Sequence, residues 1–123
     1  MNERVRSFLI DLARQRTNQT INYQRLSDNC NLGLQMDNIA DRNRIATILD
    51  DISTNENSNR RPLLSALVIR LDSGSEGDGF YRMAERLEFG DRQTLKRDGI
   101  FEAQQIRDCI NFWSDDNNFN RYS

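Results

Sequence analysis

Chemistry in this chain has to come from arginine, carboxylate or tyrosine. Sixteen of its seventeen basic residues are arginine, Lys96 is the exception, and histidine is absent. A planar guanidinium binds carboxylate or phosphate through paired N–H donors and stacks on bases and rings. Lack of histidine removes the commonest general base, the Ser-His and Cys-His nucleophile pairs and most zinc sites. Arg42 and Arg44 fall in the first turns of the helical pattern "DNIADRNRIATILDDIS". Cations there cost a few tenths of a kcal/mol each against the helix dipole. At a helix N-terminus they can instead meet phosphates or base edges. Arg60 and Arg61 precede a run of apolar residues and Arg70 ends it, while Tyr23 and Arg25 stand where an extended segment turns into a helix.

The carboxylates do not assemble into a recognisable reaction centre. Counting from Asp72, "DSGSEGDGF" places Gly74 and Met83 where a calcium loop needs an acidic ligand and a bidentate glutamate. Asp50-Asp51 and Asp115-Asp116 diverge on a helix. No HExxH, P-loop, GxSxG or dinucleotide fingerprint occurs. These patterns predict a non-enzymatic protein without cofactor or metal.

The elements that position these residues follow from apolar spacing. The 123 residues make one domain, large enough for a core without staples. No apolar run reaches the roughly 18 residues of a membrane span, and no leader pattern precedes the first helix, so a cytoplasmic protein is expected. Cys30 and Cys109 are expected as buried free thiols. "NERVRSFLIDLARQR" carries Val5, Phe8, Leu9 and Leu12 on one helical face and is expected to end near Arg16. "TNQTINY" favours a strand, with Asn22 as the cap of a two-turn helix carrying Leu26 and Cys30 inward. Ile45, Ile48, Leu49 and Ile52 mark the third helix, capped by Asp37 or Asp41, and "TNENSN" reads as a polar loop after it. Leu63 to Ile69, apolar on both alternating faces and preceded by Pro62, reads as a buried strand. "DSGSEGDG" reads as a solvated turn. A fourth helix follows with Phe80, Met83, Ala84 and Leu87 inward, then a linker around Gly90 and Gly99. A last helix carries Ala103, Ile106, Ile110 and Trp113, and the tail is expected to fray.

Helix, short strand, helix, helix, strand is the order of a winged helix-turn-helix. "NQTINYQRLSDN" resembles the segment that opens the DNA-binding half of the alkylguanine-DNA alkyltransferases and alkyltransferase-like proteins, through Thr20, Tyr23 and Leu26. Arg44-Ile45-Ala46 is similar to the arginine and following small apolar residues that the family's recognition helix carries, and "PLLSALVIRLDSGSEGDGFY" to its Ile/Val-rich strand and glycine turn leading to an aromatic residue. The resemblance spans about residues 17 to 81. The reactive Pro-Cys-His-Arg is absent and Ser65 sits near the nucleophile's place, so a fold and a DNA-facing surface are implied and alkyl transfer is not. The combination of "RPLLSALV" with "GDGFY" also looks like small bacterial proteins of unassigned function.

The expected fold is therefore α+β and mostly helical: a winged helix-like domain with a small sheet and two additional C-terminal helices, with the winged helix-like part over 1–89 and a C-terminal helical extension and polar tail of the same domain over 90–123. The expected function is a DNA-binding or regulatory module. Its interface to double-stranded DNA would be Tyr23, Arg25, Arg42, Arg44, Arg60, Arg61 and Arg70. The alternative starts from the last helix, where Phe101 and Phe112 lie off the inward line, in a half of the chain whose residues 71–123 carry a net charge of -4. Exposed aromatics on an acidic surface suit a protein partner. An immunity protein or antitoxin neutralising a basic toxin, or a homodimer through this helix, would fit.

Overall fold

The computed structural model describes residues 1–97 and 99–123. Along the chain run α1 (Glu3–Ala13), β1 (Ile21–Asn22), α2 (Tyr23–Asn29), α3 (Ile39–Ser58), a 3-10 helix (Leu64–Leu67) and β2 (Val68–Ile69). Four helices follow: α4 (Asp78–Arg86), α5 (Arg92–Arg97), α6 (Ile100–Ser114) and α7 (Asp116–Tyr122). The architecture is α+β and mostly helical, as expected. β1 and β2 pair in parallel, Ile21 with Val68 and Asn22 with Ile69.

The first three helices start alike. Asn2, Asn22 and Asn38 each accept a hydrogen bond on the side chain from the backbone N–H three residues on, at 2.9–3.0 Å. An asparagine here satisfies one of the donors a helix start leaves open. The α3 cap is thus Asn38 and not Asp37 or Asp41. Helix α1 stops at Ala13, three residues earlier than its arginines suggest. Arg14 instead reaches the Trp113 carbonyl at 2.8 Å and Asp116 at 2.9 Å, and lies over the Phe119 ring.

The apolar stripes of α1, α2, α3 and α4 face inward as their spacing requires. Five expectations need correction. "TNENS" is not a loop: α3 runs through it to Ser58, because Glu56 is fully buried and held by Arg6 and Arg61. Residues 64–67 form a 3-10 helix, and the strand is only Val68 and Ile69. A 3-10 helix aligns i and i+3. Leu64 and Leu67 enter the main core, and Leu63 and Ala66 enter a second cluster with Phe80, Tyr81 and Met83. The buried side of α6 is Gln105, Cys109 and Trp113, with Ala103 exposed and Ile106 and Ile110 half-buried. The segment between Gly90 and Gly99 contains α5. Finally, the tail is helical: Arg6 donates to the Tyr122 carbonyl at 2.7 Å and Phe119 packs on the main core.

The 3-10 helix sits at the centre, buried throughout, where its backbone groups have few strand partners. Side chains take their place. Ser53 Oγ accepts from the Ser65 N–H at 3.0 Å and lies 2.6 Å from Ser65 Oγ. Gln105 accepts from the Leu63 N–H at 3.0 Å, and the Cys109 thiol donates to the Leu63 carbonyl at 3.2 Å. Three buried polar side chains therefore complete backbone hydrogen bonding that would otherwise cost a kcal/mol or more per group. Cys30 and Cys109 are buried free thiols, and burial raises the pKa of both.

A candidate nucleic-acid interface around Tyr23

Parallel pairing sets the geometry of the site. With Asn22 opposite Ile69, Tyr23 and Arg70 leave the sheet side by side. Tyr23 opens α2 and stands in the wall of a groove between α3 and α4. One lobe, about 480 Å³, is lined by Tyr23, Asn43, Thr47, Ser65, Arg82 and Arg86 among others. The second, about 490 Å³, is lined by Tyr23, Met36, Arg42, Arg70 and Gly77. The lobes meet at Tyr23, Ala46 and Gly79. Gly79 has open space where a side chain would begin, so no side chain from this position fills the junction.

The α3 face toward the groove repeats Asn43, Ala46, Thr47 and Asp50, which places short side chains at i, i+3, i+4 and i+7. Phe80 and Met83 give the first lobe an apolar floor. The Tyr23 hydroxyl makes no hydrogen bond among the described residues. Burial, and behind it the charge of nearby Glu76, push its pKa up to about 12, with Arg70 pulling the other way. At neutral pH it is a neutral phenol, able to donate, accept or stack.

Four arginines rim the groove. Arg42 donates to the Met36 carbonyl at 3.0 Å, Arg70 pairs with exposed Asp72 at 2.9 Å, and Arg86 pairs with Asp50. Arg82 is exposed and forms no ion pair among the described residues. Exposed pairs of this sort hold by about 1 kcal/mol or less, so an incoming phosphate competes with them easily.

Of the residues expected at a DNA interface, the fold brings Tyr23, Arg42 and Arg70 together. Arg25 and Arg44 are exposed but line neither lobe. Arg60 and Arg61 lie elsewhere, beside a depression that also holds Phe89 and Phe112. The Arg61 guanidinium is occupied: it bonds Glu56 at 2.9 and 3.1 Å and lies over the Tyr122 ring. Arg82 and Arg86 are additions. Their i, i+4 spacing opposite the Phe80, Met83 and Ala84 stripe marks them as one solvent-facing row of α4.

The two phenylalanines set aside as surplus are half-buried. Phe101 packs against Phe80 and Phe89, with centroids at 5.8 and 5.2 Å, and Phe112 against Trp113 and Tyr122 at 4.9 and 6.0 Å. α7 and the second cluster cover much of what a single inward stripe leaves out. Among the described residues no group of three or more cysteine, aspartate or glutamate side chains is placed to hold a metal ion, and no helix is long and apolar enough to cross a membrane. Comparison with protein-family models, curated proteins and solved structures returned no match.

Proposed function

We propose that this chain is a non-enzymatic DNA-binding module of winged-helix type, docking duplex DNA along the groove between α3 and α4. The observation that supports this reading is the convergence of Tyr23, Arg42, Arg70, Arg82 and Arg86 on one groove from four separate stretches of sequence. An aromatic phenol in a channel rimmed by guanidinium groups suits a backbone of phosphates carrying flat bases. The net charge of -2 limits long-range attraction, so the affinity expected is modest and confined to low salt.

Fluorescence anisotropy with a random duplex across a salt series tests it. Binding should be measurable near 50 mM salt. Arg42→Ala should flatten the slope of log affinity against log salt by about 0.9, the contribution of one phosphate contact. Arg44→Ala, two residues away but outside the groove, should leave the slope unchanged. Thermal unfolding of both variants should stay close to the parent. No duplex binding at 50 mM salt overturns the reading.

A second reading is supported at the other depression, about 570 Å³, where Phe89 and Phe112 border Pro62 and Arg60. Phe89 is 38% exposed there, and Tyr122, packed beside Phe112, is also 38% exposed. A protein-binding module would engage a partner, or a second copy, at this patch. Phe89→Asp is the appropriate probe, since Phe112 is packed on Trp113. The variant should remain folded while losing association in analytical ultracentrifugation or capture of one stoichiometric partner. An unchanged association state removes this reading.

A further inference from the structure

Beyond the groove, α4 and α5 pack side by side and leave a smaller depression of about 280 Å³. Arg82, Arg92 and Lys96 line it, against a single carboxylate, Asp78. That carboxylate is already engaged: Lys96 pairs with it and holds its pKa below the usual range. Neither the Arg82 nor the Arg92 guanidinium makes a hydrogen bond or ion pair among the described residues. Both guanidinium groups line the same small depression, so an anion seated in it would accept hydrogen bonds from both. Their fork of N–H donors matches two oxygens of a phosphate. Gln93 adds an uncharged amide to the same wall, and Tyr81 completes the lining.

The place of this depression matters as much as its charge. Arg82 lines both it and the first lobe of the groove, and Asp78 lines both it and the second lobe. A phosphate held here is therefore one side chain away from whatever lies against Tyr23. We propose that the depression between α4 and α5 is a phosphate-ester site, taking a phosphodiester of the nucleic acid that occupies the groove. The phosphate assignment stands on the cluster itself; its carrier rests on the DNA-binding reading above.

Arg92 is the residue to change, because it lies outside the groove. Two measurements on the full chain decide the matter. Inorganic phosphate is titrated at constant ionic strength against chloride, following the arginine side-chain Nε–H signals by NMR. The Arg82 and Arg92 signals should move saturably, and the Arg82 response should vanish in Arg92→Gln. Random-duplex binding across salt should then show Arg92→Gln losing about 0.9 of the parent's slope. Duplex binding with the slope unchanged in the variant overturns the inference and leaves the groove reading standing. A saturable phosphate response without any duplex binding overturns the nucleic-acid carrier and supports a free phosphate ester. Absence of both responses overturns site and carrier together.

Discussion

Glutamine in place of Glu56 should lower the unfolding free energy by about 3–5 kcal/mol, the cost of leaving a buried ion pair without its counter-charge. Against a total stability on the order of 5–15 kcal/mol this is among the largest effects any one residue here can have. Glu56 is 0% exposed and Arg6 5%. Arg6 bonds its two oxygens at 3.0 and 3.4 Å, Arg61 at 2.9 and 3.1 Å, and Asn55 adds a fifth bond at 3.2 Å. Arg6 also lies over the Trp113 ring and donates to the Tyr122 carbonyl. One carboxylate therefore fastens the end of α3 to α1 and, through Arg6, to α7.

The pH dependence has a definite sign. Burial pushes the Glu56 carboxyl up, the bonds and charges of Arg61 and Arg6 pull it down, and the net shift is downward. A carboxylate depressed in the folded state contributes stability above its unfolded pKa and loses it as pH falls through the folded one. Acid unfolding of the parent should therefore steepen below about pH 4.5, and Glu56→Gln should lack that component. Urea unfolding across pH 2–7 measures both. A companion variant separates charge from shape: Arg6→Met and Arg61→Met together with Glu56→Leu replace the whole buried cluster by apolar side chains and should recover much of the loss. A Glu56→Gln protein as stable as the parent would mean the pair is solvated in solution.

Glu56 also shows where the sequence was legible and where it was not. Four amphipathic stripes, the small sheet and the α+β class follow from spacing that local physics determines. "TNENS" has weak helix propensity, and the burial of Glu56 between Arg61 and Arg6, the latter 50 residues away, holds it helical. The run at Leu63 to Ile69 was readable as covered on both sides, which is correct. Alternation cannot distinguish a two-sided strand from a 3-10 helix whose i, i+3 rows face two clusters. In α6 the buried side includes Gln105, a polar residue recruited by the Leu63 N–H, so an apolar stripe drawn by eye lands off the true face. The site divides the same way. Tyr23 and Arg42 were recognisable from their positions at helix starts, whereas Arg82 joins them only because α4 packs back across α3. Arg61 is occupied by a carboxylate only five residues back, which a polar loop over 54–59 would have left in solvent and which the continuation of α3 to Ser58 buries instead.

Removing the ionisable group at position 76 should have the opposite effect, stabilising the protein. Glu76 is 4% exposed and neither carboxyl oxygen has a partner among the described residues. Its neighbour Glu102 is fully engaged, accepting from Ser75 Oγ, the Glu76 N–H and the Tyr81 hydroxyl at 2.9–3.1 Å. The "DSGSEGDG" turn is consequently not wholly solvated: Arg70 and Ser75 close it at 2.8 Å and the side chain of Glu76 is tucked beneath. Burial, and then the Glu102 charge, push the Glu76 pKa from 4.5 up to about 10. A group raised in the folded state contributes stability that is full below its unfolded pKa and is lost as pH climbs toward the folded one. Each pH unit within that window costs about 1.4 kcal/mol, so at pH 7 the folded chain forgoes about 3 kcal/mol by keeping Glu76 protonated. Glu76→Gln keeps the shape and stays as unpartnered as the acid, so it removes the titration alone. It should be more stable than the parent at pH 7 and lack this slope from pH 5 to 9. Glu76→Met also removes the orphaned oxygens and should gain a further 1 kcal/mol or so. Urea unfolding of the three proteins at several pH values reads the difference directly. Parallel curves for parent and Glu76→Gln would show that Glu76 reaches water or a cation in solution, and that the turn over it is open.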